Sequence, residues 1–460
     1  MRFLRIQSIS LFSAFLASAI AAQGQTVSAL YNFNGQNSSQ NPQAVMLAQG
    51  RDGELYGTTT GGGVDGSIFK VSTSRIFASL FVFNGTDGDV PSEGVTLADD
   101  GNLYGVAGLG GSGNNGLLFK ISPSGAYSVL YEFTGGSDGF SPVAAPIQAS
   151  DGNLYGTTEF NNAGGATLYE YAPSSGDFSV IYQFSRGSIV APLIQASDGF
   201  LYGTTSNGGW ANCGTIFKIS TIGKLLQSVP FSCHAAGAYP IFGPLLQASD
   251  GNFYGTTDEG GASNKGTIFR TTPDFKVAIL YSFLGHTKSA VDGSLPTAGL
   301  TQATDGNLYG TTSQGGASGA GTLFRISMAG DYKMLYSFNG SAGTAPEGTL
   351  MQHTNGMLYG TAAVGGTNKL GTVYQVNLGL GPFITFVQRT GSVGQTAQIL
   401  GQKLTGATNV TFNGVPATSF TVASPTFLLA TVPSGATSGP VVVTTPGATL
   451  TSNVNFNVVP

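Results

Sequence analysis

The sequence predicts an all-β protein: a seven-bladed β-propeller closed by its N-terminal strand, followed by a small Ig-like β-sandwich. Three observations point there. A phrase built on Leu-Tyr-Gly-Thr-Thr recurs with its tyrosines at Tyr56, Tyr104, Tyr155, Tyr202, Tyr254, Tyr309 and Tyr359, spaced 48, 51, 47, 52, 55 and 50 residues apart. Self-similarity at such a period marks repeat architectures. The 460 residues include 70 glycines while only 9% are charged, a composition rich in turns and poor in solvated helix faces. Finally, the last copy lacks the aromatic strand that ends the others, and that pattern stands at the opposite end of the chain as Leu30-Tyr31-Asn32-Phe33.

Residues 1–22 read as a secretory signal peptide. Arg2 and Arg5 precede an apolar run from Ile9 to Ile20, and Ala19-Ile20-Ala21-Ala22 supplies small residues for cleavage after Ala21 or Ala22. The run is shorter than the roughly 20 residues that span a bilayer. Export to a secreted or cell-surface location is expected, with no membrane insertion once the signal is removed.

The repeats occupy residues 27–378. In the sixth, strand signals lie at Gly299 to Ala303, Asn307 to Thr312, Gly321 to Ser327 and Met334 to Phe338, with a tight-turn signal at Asp305-Gly306. In its third strand Leu323 and Arg325 fall on one face, Phe324 and Ile326 on the other. The fourth carries Tyr336 with Phe338, a pair repeated as Tyr131 with Phe133, Tyr182 with Phe184 and Tyr281 with Phe283. Four short antiparallel strands per repeat describe a propeller blade, with the periodic aromatics as core between blades. Segment Leu30–Phe33 completes the seventh blade and pairs an edge that would otherwise stay open. A helical solenoid is excluded, because no copy shows a 3.6-residue period and glycines interrupt each one.

Cys213 and Cys233 are the only cysteines. They flank the third and fourth strands of the fourth repeat, so antiparallel pairing sets them side by side, and a disulfide suits an exported chain. Pro230 suits an outermost edge strand, where its missing N–H does no harm. The alternative, a reactive thiol or metal pair helped by adjacent His234, is the weaker one because two cysteines and a lone histidine do not complete a zinc site. With 18 basic and 23 acidic side chains, a net charge of -5 and no Lys/Arg cluster, nucleic acid and anionic lipid are excluded as partners.

From Pro382 the repeats give way to a segment without any acidic residue, in which Asn409-Val410-Thr411-Phe412 and Pro440-Val441-Val442-Val443-Thr444 alternate between Gly/Pro turns. Residues 381–460 therefore suggest a small sandwich. The series Gly391-Ser392-Val393-Gly394, Gly401-Gln402-Lys403-Leu404, Thr411-Phe412-Asn413-Gly414-Val415-Pro416-Ala417 and Ala430-Thr431-Val432-Pro433 resembles an IPT/TIG domain in order and spacing. The repeats, with Gln-Ala-x-Asp-Gly-Asn-Leu-Tyr-Gly-Thr-Thr at 302–312 and Gly-Gly-x-x-x-x-Gly-Thr-x-Phe at 315–324, resemble the GloVer tandem repeats of exported bacterial proteins described as choice-of-anchor. That resemblance implies export and repeat architecture and assigns no chemistry. No sorting signal or membrane tail follows the sandwich up to Pro460, so an anchor is not expected.

The candidate ligand face is the one where the copies differ, formed by loops after the second and fourth strands and opposite the uniform Asp-Gly turns. It carries Trp210 and Asn212 in the fourth repeat, Asp258, Glu259 and Lys265 in the fifth, Asn368 and Lys369 in the seventh, and Asp87, Asp89, Asp138, Arg186, His234, His286 and Asp292 in the connections between repeats. Trp210, the only tryptophan, suits stacking on a sugar or aromatic group, or covering a blade edge. No catalytic residue, metal site or cofactor is assigned. Gly135-Gly136-Ser137-Asp138-Gly139 matches a nucleophile elbow only outside its strand-turn-helix context. Asp87-Gly88-Asp89 lacks the remaining ligands of a calcium loop, and the Gly-Gly loops lack the lysine of a phosphate cradle. His353 replaces the usual alanine of the first strand and is expected to line the central channel.

Two functions are open at this level. One is an extracellular non-enzymatic binding or scaffold protein for a glycan, peptide or surface partner. The other is a secreted propeller enzyme, a lyase or hydrolase with its site at the channel mouth. The enzyme requires Asp87, Asp138, His286, Asp292 and His353 to converge.

Overall fold

The computed structural model describes residues 25–459 apart from 36–38, 62–65, 92, 234–236 and 288–290. The signal segment and His234 lie outside the described residues. Within them the chain is all-β, and seven four-stranded antiparallel sheets take up residues 26–377. The sixth is typical, with strands Thr301–Gln302, Leu308–Thr312, Thr322–Ile326 and Tyr332–Ser337 in that spatial order. Its first strand is shorter than the sequence suggests because the Gly299 N–H is engaged by Thr349 Oγ1 of the next sheet and the Ala303 N–H already belongs to the turn. The alternation in the third strand does not separate core from solvent either. Leu323 and Phe324 are both fully buried, since neighbouring sheets cover the two faces.

The repeated phrase has a local physical reason. In six sheets the Asp of the turn accepts a hydrogen bond from the Tyr hydroxyl four residues on, as from Tyr56 to Asp52, Tyr202 to Asp198 and Tyr309 to Asp305. In the seventh, Asn355 Nδ2 donates to Tyr359 instead. This satisfies the one polar atom of a ring that is otherwise in the core. The following glycine is needed because an aromatic ring of the third strand lies against it: a Cβ on Gly310 would sit 2.6 Å from Phe324.

Strand Thr26–Asn32 forms the outer edge of the seventh sheet, pairing antiparallel with Thr372–Asn377 from Thr26 opposite Asn377 to Asn32 opposite Thr372. The strand missing from the last copy is thus supplied from the N-terminal end. Its Tyr31 stacks on Phe77 of the first sheet at 4.2 Å, as Phe81 stacks on Tyr127, Tyr131 on Phe178 and Tyr281 on Tyr332 between later sheets.

A second set of links joins consecutive sheets. The glutamine ending each short first strand accepts the N–H of the residue before the turn Asp or Asn in the preceding sheet: Gln148 from Asp99, Gln195 from Ser150, Gln247 from Ser197, Gln302 from Ser249 and Gln352 from Thr304. The same bond runs from Thr354 of the seventh sheet to Gln49 of the first, 3.0 Å across 305 positions of sequence. At the remaining junction the glutamine is replaced by Leu97, and the residue facing it is Arg51.

Residues beyond 384 form two further four-stranded sheets, one containing Thr396–Leu400 and Phe427–Thr431, the other Asn409–Phe412 and Val441–Thr445, around a core that includes Ile399, Val410, Phe412, Leu428, Val443 and Phe456. Cys213 and Cys233 are joined in a disulfide with Cα atoms 5.5 Å apart.

Candidate functional site

The variable loops bring the predicted residues into two kinds of environment. Arg186, Trp210, Asn212, Glu259, Lys265 and His286 are exposed. The aspartates of the connections are structural. Asp138 is buried and accepts hydrogen bonds from Thr134 N and Oγ1, Gly136 N and the Tyr131 hydroxyl. Burial alone would raise its pKa, but these donors outweigh it and hold the carboxyl below the ordinary range. Asp292 is buried between the stacked Tyr281 and Tyr332 and accepts from both hydroxyls at 2.9 Å. Asp87 caps the Asn84 N–H through Oδ1, and its carbonyl accepts from Tyr127. Asp89 pairs through its backbone with Leu109. Asp87, Asp138 and Asp292 thus hold three separate connections, the last also reaching the outer strand of the next sheet.

His353 is a correction as well. It is buried rather than lining an open channel, with Nε2 3.0 Å from the Gly53 carbonyl and Nδ1 accepting the Asn355 N–H, and so it seals the seventh sheet to the first. These partners place the proton on Nε2, and burial lowers its pKa. Among the described residues no hydrogen bond joins any of Asp87, Asp138, His286, Asp292 and His353 to another of them, and no group of three or more His, Cys, Asp or Glu is disposed to hold a metal ion.

Four carboxylates behave differently: Asp258, one of the predicted loop residues, and Glu93, Glu159 and Glu347, which sequence reasoning missed. Burial pushes Asp258 up to about 7, with the charges of Glu259 and Glu347 adding to the shift, and its Oδ1 is buried without a hydrogen-bond partner. Glu159 and Glu347 are raised by burial too. Glu93 is 2% exposed with both oxygens unpartnered, and burial holds its pKa well above the usual carboxylate value. The sequence signal was available in part, since Glu93 stands where the other copies have small or apolar residues such as Ala144, Ala191 and Ala298.

On the opposite side the C-terminal sheets dock against the Asp-Gly turns. Thr426 Oγ1 donates to the Arg51 carbonyl at 2.7 Å, Gln402 to Thr354 Oγ1 at 3.0 Å, Gln388 to the Ala149 carbonyl at 3.0 Å and Arg389 to that of Gln195 at 2.8 Å. The anchor is Arg51, whose guanidinium donates to Gln398 Oε1 and the Asp99 carbonyl and lies 4.7 Å from the Phe427 ring centroid. The contact therefore centres on the junction where Leu97 breaks the glutamine series. It leaves a cavity of about 320 Å³ lined by polar groups including Asp99, Asp151, Gln388 and Gln395, and one of about 230 Å³ between the short first strands and Thr385, Phe386, Val387 and Leu400.

Comparison with solved structures gives an oligogalacturonate lyase from Vibrio parahaemolyticus, 12% identical, covering 76% of this chain and 93% of that one with a TM-score of 0.50. An oligogalacturonate lyase in complex with manganese is 15% identical, covering 76% and 92% with a TM-score of 0.51. At such identities the likeness is one of fold, all-β and propeller-like. No curated protein matches the chain. The family described as the Gloeobacter/Verrucomicrobia repeat matches three times, over residues 17–147, 135–304 and 284–415. These matches take in the turn phrase, the glutamine links and the aromatic strands alike, and the chain belongs to the Gloeobacter/Verrucomicrobia repeat family.

Proposed function

We propose that this is an exported, non-enzymatic binding or scaffold protein: a seven-bladed propeller over residues 27–378, closed by the N-terminal strand, with an IPT/TIG-like Ig-fold sandwich over 381–460 as a docked spacer. In this reading residues 1–22 are the export signal and the ligand, an extracellular glycan or protein, is taken on the variable loop face. The observation that carries it is the seating of the C-terminal sheets on the Asp-Gly turns through Arg51, Gln388, Arg389, Gln402 and Thr426. Occupation of that side directs a ligand to the loops, which differ from copy to copy on a rigid frame. The test is a glycan array and a pull-down with the exported protein. Binding that is weakened by substitutions at Trp210, Arg186 or Lys265 and unaffected by Lys333→Ala, on an outer strand, supports the reading. Binding that is indifferent to all the loop substitutions refutes it.

A specific observation favours a second reading. Asp258 is pushed up to about 7 with Glu259 and Glu347 as its charged neighbours, and Glu347 belongs to a segment two sheets further on, so its field would reach Asp258 across the channel mouth. A carboxyl half-protonated at neutral pH suits general acid–base work in a lyase or hydrolase. Turnover of a polysaccharide that is abolished by Asp258→Asn would favour this reading over the first.

A further inference from the structure

The loops joining the second and third strands follow one template in five sheets, opening on Gly110-Gly111, Gly208-Gly209, Gly260-Gly261, Gly315-Gly316 and Gly365-Gly366. The next residue is the tip. In three of them its backbone N–H is tied to a side chain at the end of the outer strand: Ser112 to Glu132 at 2.9 Å, Ala317 to Ser337 at 2.8 Å and Thr367 to Asn32 at 3.0 Å. In the fourth sheet that register position is Pro230, which pairs with Thr215 as Glu132 pairs with Leu117 and Ser337 with Thr322. Proline offers no side-chain acceptor, and here the Cys213–Cys233 disulfide braces the loop instead. Asn212 Oδ1 accepts the Gly208 N–H at 3.0 Å on the near side. The tip residue is thus held in place without being used.

That residue is Trp210, where the equivalent positions carry Ser112, Ala262, Ala317 and Thr367. The residue is 77% exposed. Holding an indole in water on a covalently braced loop is unfavourable in the unbound protein, and the apolar face of a ligand would recover that free energy. Gly208, Gly209, Ala211 and Asn212 bring no second large apolar group, so the surface is too small for a protein hot spot but matches one sugar ring. The exposed Arg186 stands on the adjoining connection, its backbone 3.6 Å from where a Gly208 Cβ would lie, and its guanidinium is a planar fork suited to hydroxyls or a carboxylate.

We infer that Trp210 and Arg186 form a saccharide platform, a pyranose ring stacking on the indole while the guanidinium takes its hydroxyls or a uronate carboxylate. This rests on the reading that the loop face binds ligand. Because Trp210 is the only indole in the chain, its emission reports the site directly. The full exported chain is titrated with a neutral gluco-oligosaccharide and with a uronic-acid oligosaccharide while acrylamide quenching is followed. Protection from quenching by either is expected. Trp210→Ala should weaken binding measured by calorimetry at least about tenfold, about 1.4 kcal/mol, while Trp210→Phe retains most of it. Arg186→Gln should weaken the uronate selectively if the carboxylate is the group it recognises, and both sugars equally if hydroxyls are. No protection by either sugar overturns the platform, as does undiminished binding by a folded Trp210→Ala chain. In the latter case the broader loop-face reading survives, whereas an array and pull-down on which nothing binds removes both.

Discussion

Replacing Gln49 by leucine puts at the junction of the seventh and first sheets the residue that Leu97 already is at the junction of the first and second. Gln49 is 8% exposed, donates from Nε2 to Thr354 Oγ1 at 2.8 Å and accepts the Thr354 N–H at 3.0 Å. Leucine removes two hydrogen bonds, each contributing about 1 kcal/mol, and leaves a buried donor unsatisfied, which brings the expected loss to between about 2 and 4 kcal/mol. No equivalent of the Arg51 side chain is present to bridge the gap, as happens beside Leu97. Urea denaturation followed by circular dichroism should show a lower midpoint for Gln49→Leu, at least as low as for Gln302→Leu, whose bond from Ser249 joins sheets adjacent in sequence. A normal midpoint for Gln49→Leu beside a lowered one for Gln302→Leu would refute the equivalence of the seventh-to-first junction with the others.

Other outcomes follow from single groups. Tyr169 and Tyr374 occupy positions that are Phe in the other sheets, and both hydroxyls are buried without a partner, so Tyr374→Phe should raise stability by about 1 kcal/mol in the same denaturation assay. The folded His353 has a lowered pKa, so the unfolded chain binds its proton first. Its contribution is complete above the ordinary histidine value of about 6.5 and is lost as pH falls below it, and His353→Ala should flatten the midpoint between pH about 7 and 5. The depressed carboxyls Asp100, Asp138, Asp198 and Asp250 lose their contribution only as pH falls below their ordinary value near 4. Glu93 has the opposite sign, its raised pKa making the fold less stable as pH rises. Glu93→Gln should therefore stabilise at pH about 8, with a gain that shrinks toward pH about 4. Removing the disulfide by Cys213→Ser with Cys233→Ser opens a 20-residue closure and should cost about 3 kcal/mol.

Much of this architecture could be read from residues alone because its signals are local or periodic. The Tyr-Gly spacing, the Asp-Gly turns, the aromatic pairs and the stranded Leu30–Phe33 segment each carry their meaning within a few positions. The glutamine links could not be read, since each partner is a backbone N–H one repeat away and any residue supplies one. Asp138 and Asp292 read as ligand-face residues because charged loop residues usually stay in solvent, and the tyrosine hydroxyls that draw them inward lie 7 to 40 positions off. His353 was expected in the channel by analogy with a strand alanine, whereas its ring turns to the Gly53 carbonyl of the first sheet. The seat of the C-terminal sheets left only two irregularities as a trace, Leu97 in the glutamine series and Arg51 where the equivalents are Ser, Thr or Asp. Neither has meaning until the partners Gln398 and Phe427 are seen beside them.

Closure by the N-terminal strand is the claim on which the frame depends, and it can be tested by removing residues 27–35 and then supplying them as a peptide. Thermal melting followed by circular dichroism should show a broadened transition at lower temperature for the truncated chain, recovering toward the intact profile as the peptide re-pairs with Thr372–Asn377. A truncated chain that melts as sharply and as high as the intact protein, with or without the peptide, would contradict the account.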